Sequence, residues 1–185
     1  MSSMEIANVF LTAARETLAE GMHKIEHCLG QLNEEQVWWR PQVKPPAGAK
    51  NAAVEMNSIA NLVLHLAGNL RQWIVAGVGG AKDVRNRPRE FADRSGMPKG
   101  ELVALVKGTV AEADAAMARL TADELTAKRR IQGFDTNVTA ALLGTISHFR
   151  GHEQEIIHMT REQLGDKYRF DFVPQGAEQE SAGGG

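Results

Sequence analysis

A chain of 185 residues, 43% hydrophobic and 24% charged, is long enough for one domain with a substantial apolar core. Its formal net charge of -2 argues against a nucleic-acid partner, which needs a basic face, and no apolar run approaches the roughly 20 residues needed to span a bilayer. The single Cys28 permits no intrachain disulfide, and Met1 to Phe10 lacks a basic region followed by an apolar run, so no signal peptide is expected and the chain reads as soluble and cytoplasmic.

The first predicted element runs from Glu5 to Leu32. Phe10, Ala14, Leu18, Met22, Ile25, Leu29 and Leu32 recur at steps of three and four, the pattern of an amphipathic helix. Cys28 falls on or near this stripe and reads as a small core residue. His23 and His27 form an i, i+4 pair, but at about 100° per residue they lie nearly opposite the stripe and are expected to face solvent or a partner chain. Arg40 precedes Pro41, which ends any helix there. Trp38 and Trp39 are adjacent and cannot share a helix face, so one should cap the core and the other lie at a rim. Gln42 to Asn51 reads as an irregular connector.

The second element runs from Asn57 to Val78, with Asn57-Ser58 as N-cap. Ile59, Leu62, Val63, Leu66, Leu70, Trp73 and Ile74 give a wide stripe, hence a deeply packed helix, and His65 lies at its edge between Asn61 and Asn69. Gly77-Val78-Gly79-Gly80 ends this helix; a phosphate loop would precede a helix and end in Gly-Lys-Ser/Thr. Lys82 to Pro98, centred on Arg85-Asn86-Arg87-Pro88-Arg89-Glu90-Phe91, reads as a solvated connector with local ion pairs; an arginine cluster gripping an anionic substrate is the other reading. The third helix is expected over Pro98 to Leu120. Leu125 to Asn137 is polar and extended at most, and Lys128-Arg129-Arg130 is too short to mean more than a charged surface. The fourth helix spans Thr139 to Leu164 on the stripe Leu142, Ile146, Phe149, Ile156, Ile157, Leu164. Lys167 to Pro174 alternates weakly and is expected to lie extended across the helices. The domain is expected over residues 1–174, with 175–185 a mobile, glycine-rich tail.

His148 and His152 are the motif that carries chemistry. Four residues apart on a helix, they stand one turn above the other and can reach one ion. They border the apolar stripe, as His65 borders its own, and helical proteins build metal sites from side chains on facing helices. The competing reading of His65 is a half-buried histidine bonded to Asn61 and Asn69. His152-Glu153 begins like the zinc-protease motif, but Ile156 stands where its second histidine is required. His158 projects away. Three neutral imidazoles suit zinc, nickel, copper or iron(II), with positions left open. Glu155 is a candidate fourth ligand or base, and Asn61 and Asn69 are candidate hydrogen-bond partners behind the ligands.

With these residues the chain resembles the DinB-like superfamily of metal-binding helical proteins over nearly its whole length. In that family a histidine of the second helix joins a His-x-x-x-His on the last. Here His65, within Asn57-Ser58-Ile59-Ala60-Asn61-Leu62-Val63-Leu64-His65-Leu66, and His148 with His152 match those positions. The connector Arg85 to Phe91 resembles one found in an uncharacterised branch. The last-helix motif usually continues His-x-Gly-Gln-Ile; here it reads His152-Glu153-Gln154-Glu155-Ile156, a departure that leaves the ligands intact and bears on the substrate. The resemblance implies an all-α, up-down four-helix bundle, often a homodimer, holding a divalent metal, zinc or nickel foremost. In some relatives a low-molecular-weight thiol is cosubstrate. Two functions follow: a metalloenzyme activating water or a thiol for hydrolysis or S-transfer, or a non-catalytic metal- or ligand-binding dimer. A deep cleft at the metal face favours the first, and closure of that face by a partner chain or by Phe170 to Phe172 favours the second.

Overall fold

The computed structural model describes residues 2–42, 47–48 and 56–172. The fold is mostly helical. Helix α1 spans Ser3–Gln31 and opens with a capping box: the Ser2 hydroxyl accepts from the Glu5 amide while the Glu5 carboxylate accepts from the Ser2 amide. A five-residue helix, α2 (Glu34–Trp38), follows on an Asn33 cap. Helix α3 (Ile59–Leu70) starts at Ser58, whose hydroxyl accepts from the Asn61 amide, and continues without a break as a π-helical stretch over Arg71–Val78. The predicted second helix is therefore present at its full length, but its last two turns are wide. Helix α4 (Arg87–Ala92) is short, with Asn86 as N-cap and Pro88 in its first turn, where a missing N–H costs nothing. Helices α5 (Lys99–Met117) and α6 (Val138–Leu164) complete the helical set.

Within this mostly helical fold, the polar stretch Leu125 to Asn137, read as extended at most, carries a small sheet. Strands β1 (Lys128–Ile131) and β2 (Phe134–Asn137) form an antiparallel hairpin with Ile131 opposite Phe134. Its two-residue turn carries Gln132 at φ 54° and Gly133 at φ 85°, the left-handed pair that matches the twist of a hairpin. The polarity of this stretch hid it, because only Ile131 is buried. Ile131 seats the hairpin on the π-helical stretch: its side chain fills the space where a Cβ on Gly77 would stand, 2.5 Å from Ile131 Cδ1.

Helix α1 packs on α5 and α6, and α3 packs on the same two helices, so one core runs between all four. Leu18, Ile25, Leu29, Leu62, Leu66, Leu102, Met117 and Phe149 are fully enclosed there. Cys28 lies in this core, and burial pushes its thiol pKa up. Trp38 packs against the core and its indole N–H donates to the Met97 carbonyl at 3.0 Å, while Trp39 stays at the rim.

Gly165 takes φ 55° and ends α6. The chain beyond it lies along α1. His27 Nε2 stands 2.6 Å from the Arg169 carbonyl, Gln31 brackets Arg169 through both amide atoms, and Arg161 stacks over the rings of Tyr168 and Phe170. His27 is thus half-buried by its own chain rather than turned to solvent or a partner, because the C-terminal segment covers the polar face of α1. His23 remains exposed near Asp171. The predicted tail over 175–185 and most of the 42–51 connector lie outside the described residues.

Candidate metal centre

Helix α3 presents His65 and α6 presents His148 and His152, and one ring nitrogen of each falls within 4.8 Å of the others. The i, i+4 spacing stacks the α6 pair, whose ring centroids are 4.5 Å apart. His65 reaches across the α3–α6 contact, and its Nε2 stands 2.9 Å from His148 Nε2. His65 is buried, while His148 and His152 are partly open to solvent.

The outer nitrogens are held by carboxylates. His65 Nδ1 lies 3.0 Å from Glu90 Oε2, and His152 Nδ1 lies 2.8 Å from Glu155 Oε2. An ionised carboxylate only accepts, so each bond places the ring proton on Nδ1 and leaves the Nε2 lone pair for an ion. Arg85 Nη2 also approaches His65 Nδ1 at 3.0 Å. That guanidinium is already satisfied, since it clasps Glu90 with both a 2.7 Å and a 2.8 Å bond and donates to Gln72 Oε1 at 2.9 Å. The competing assignment, in which the imidazole accepts from Arg85, would cost Glu90 its bond to the ring.

Arg85 and Glu90 form a nearly enclosed ion pair, with side chains only 3% and 10% exposed. Burial opposes ionisation of Glu90, but the hydrogen bonds from Arg85 and His65 outweigh it and hold the carboxyl below its usual range. The connector expected to be solvated therefore folds back on the site. Gly68 is the reason it fits: a Cβ there would come within 2.7 Å of Glu90 Cδ and 3.1 Å of Arg85 Nε. Asn61 anchors the same connector. Its amide nitrogen donates to the carbonyls of Glu90 at 2.8 Å and Asp93 at 3.2 Å, and its oxygen accepts from the Ser58 hydroxyl and from Arg40. The bonding of His65 to Asn61 and Asn69 is accordingly replaced by bonding to Glu90 and His148. Asn61 acts one step further out, and Asn69 lines the adjoining cleft.

Burial first, then the neighbouring His152, His65, Arg85 and Arg87, pull the His148 pKa down to about 4. Neutral imidazole is what a metal ligand must be. The donor set and the two tautomers fixed by carboxylates, those of His65 and His152, fit a divalent ion. Glu155 serves His152 here rather than standing among the converging atoms. Glu153, which made the false protease motif, points the other way. It is fully buried against α1, where a Cβ on Gly21 would lie 2.8 Å from its Oε2, and it pairs with Arg150 at 2.7 Å. His158 is exposed, as its position on the helix implied.

Beside His65 and His148 opens a cleft of about 430 Å³. Trp73 and Gln132 lie on its walls, so the π-helical stretch and the hairpin turn both contribute to it. Sequence patterning misses Glu90, Arg85 and this cleft, because none belongs to a periodic stripe. The one local sign was Asn86 followed by Pro88, a helix start that makes α4 and carries Glu90 to the site.

Residues 5–177 match the family described as "Protein of unknown function (DUF1572)". The chain belongs to this family. The match runs from the first turn of α1 through the end of α6, and with it the three histidines, Glu90 and Glu155. No curated protein matches the chain significantly. No helix among the described residues is long and apolar enough to cross a membrane.

Proposed function

We propose that this protein is a divalent-metal-dependent enzyme, an up-down four-helix bundle of the DinB-like kind, in which His65, His148 and His152 hold the ion and the adjoining cleft receives a small molecule. The observation that carries this reading is the convergence of three imidazole nitrogens, two of them with Nδ1 held by carboxylates, at the wall of an open cleft. Three neutral donors suit zinc or nickel and leave the charge of the ion uncompensated. When bound, such an ion supplies Lewis acidity that strengthens a water or a low-molecular-weight thiol as nucleophile, for hydrolysis or S-transfer.

The chain's own residues do the rest. Glu90 and Glu155 keep the protons of His65 and His152 on Nδ1 and fix the ring planes. Phe91 tilts against the His65 ring at 4.8 Å and closes its outer face to water. Arg85 holds Glu90 ionised. A non-catalytic homodimer would need the metal face covered. The segment that could cover it from within, Tyr168 to Phe172, instead touches His27, Gln31 and Arg161, which favours turnover in an open cleft.

Elemental analysis of untagged protein at neutral and mildly acidic pH tests the metal. About one divalent ion per chain is expected at neutral pH, with less on acidification, because protons compete for the ring nitrogens. Equal content at both values, or none at either, refutes the reading. A screen of small thiols and esters with the metal-loaded protein then tests turnover, which His148→Ala should abolish.

A further inference from the structure

The cleft beside the histidines has a charge character that the metal alone does not explain. Among the described residues no carboxylate lines it, whereas two arginines do, Arg85 and Arg87. Arg85 is neutralised by Glu90. Arg87 is not: among the described residues no carboxylate pairs with it, and its guanidinium is held over the Phe91 ring at 4.9 Å. Phe91 in turn rests on His65, so its ring holds this solvent-exposed cation at the lip of the cleft.

A second, independent observation lies in the same wall. Thr145 is 4% exposed and lines the cleft, one turn before His148, and its hydroxyl has no hydrogen-bond partner. A buried threonine on a helix ordinarily donates to the carbonyl four residues back, as Thr160 does to Ile156 at 2.8 Å. Thr145 makes no such bond, and an unpaired buried hydroxyl is unfavourable unless a ligand completes it. Apolar floor is supplied by Trp73, Ala141 and Gly144. A cleft of about 430 Å³ is the size that takes a small molecule.

We propose that the cleft selects a small oxyanion-bearing molecule, a carboxylate or a phosphate, with Arg87 pairing the anionic group and the Thr145 hydroxyl donating to an oxygen nearer the histidines. The planar fork of an arginine matches either group in two parallel bonds. This deepens the proposed function and rests on the same cleft, but its charge logic holds without an ion, because Arg87 stays uncompensated when all three imidazoles are neutral.

Titration of metal-free protein with succinate, with inorganic phosphate and with neutral succinamide, followed by calorimetry at low ionic strength, tests the idea. Binding of succinate or phosphate, and not of succinamide, is expected, and the anion that binds identifies the source. Arg87→Ala should weaken binding about tenfold, and Thr145→Val, which keeps the shape of the side chain, about fivefold. Arg119→Ala removes an exposed cation outside the cleft and should change nothing. Equal binding of succinamide, no binding of either anion, or equal loss in the Arg87 and Arg119 variants would overturn the proposal. Zinc titration of the same preparation reports separately on the metal, so that either idea can fail alone.

Discussion

Replacing Glu90 by glutamine keeps the size of the side chain and removes the charge that both His65 and Arg85 use. In the wild type the carboxylate accepts from Arg85 at 2.7 and 2.8 Å and meets His65 Nδ1 at 3.0 Å. The amide retains one acceptor oxygen, so either the guanidinium or the imidazole loses its partner. Two effects follow. Removing one partner of a nearly enclosed ion pair leaves a buried guanidinium uncompensated, which costs about 3 kcal/mol of stability. Losing the carboxylate behind a metal-bound histidine costs roughly 10- to 100-fold in metal affinity, about 1.4–2.8 kcal/mol. Denaturant unfolding of metal-free protein reads the first, and zinc competition with a chromophoric chelator reads the second. Asp114→Asn is the matched control. It breaks the Arg15–Asp114 pair, whose side chains are 39% and 42% exposed and screened by solvent, so its stability cost should be far smaller than that of Glu90→Gln, with no change in zinc affinity. The reasoning fails if folded Glu90→Gln binds zinc within twofold of wild type, or if it is destabilised no more than Asp114→Asn.

Other outcomes follow from single positions. His152→Ala should lower metal occupancy by tenfold or more while His27→Ala leaves it unchanged, by elemental analysis; similar losses in both would put the site at the wrong pair. His27→Ala should instead loosen the Arg169 segment, seen as faster amide exchange there. Gln132→Asn should stabilise the fold by about 0.5 kcal/mol, seen as a higher unfolding midpoint, since asparagine tolerates the positive φ of the first turn position better than glutamine. A lower midpoint would mean that the hairpin turn is not of this type. Cys28 should resist thiol reagents until the protein unfolds, because it is fully buried and its pKa is raised. The sign for stability follows: the folded state keeps the thiol proton that the unfolded chain gives up, so stability falls as pH rises past about 8.5. Rapid modification of native protein would refute both statements.

The long helices were legible because each has an apolar stripe of the right period, and α1, α3 and α6 also open on a side-chain cap. Ser58 before Ile59 and Asn137 before Val138 mark starts within two residues of those expected. The i, i+4 rule put His148 and His152 on one side of α6, and the position of His65 beside its own stripe made it their partner. Elements without a period were harder to read. The hairpin buries one residue of each four at most, so alternation was too faint to register, and its one clear sign was the glycine in a two-residue turn. Whether a helix turns with the α or the π period is decided by packing as well as by composition, so nothing in Arg71 to Val78 announced the wide turns.

What the sequence by itself determined is therefore local: where helices begin and end, which faces seek the core, and which histidines can share a turn. Periodicity is a property of neighbouring residues, and it survives without knowledge of the fold. What only the tertiary structure decided is which groups meet across the gaps. It set Glu90 behind His65, buried Arg85 against it over Gly68, turned Glu153 toward Gly21, and opened a cleft between the π-helical stretch, the hairpin and α6. Those contacts join residues far apart in the chain, and their energies depend on burial that no local pattern encodes.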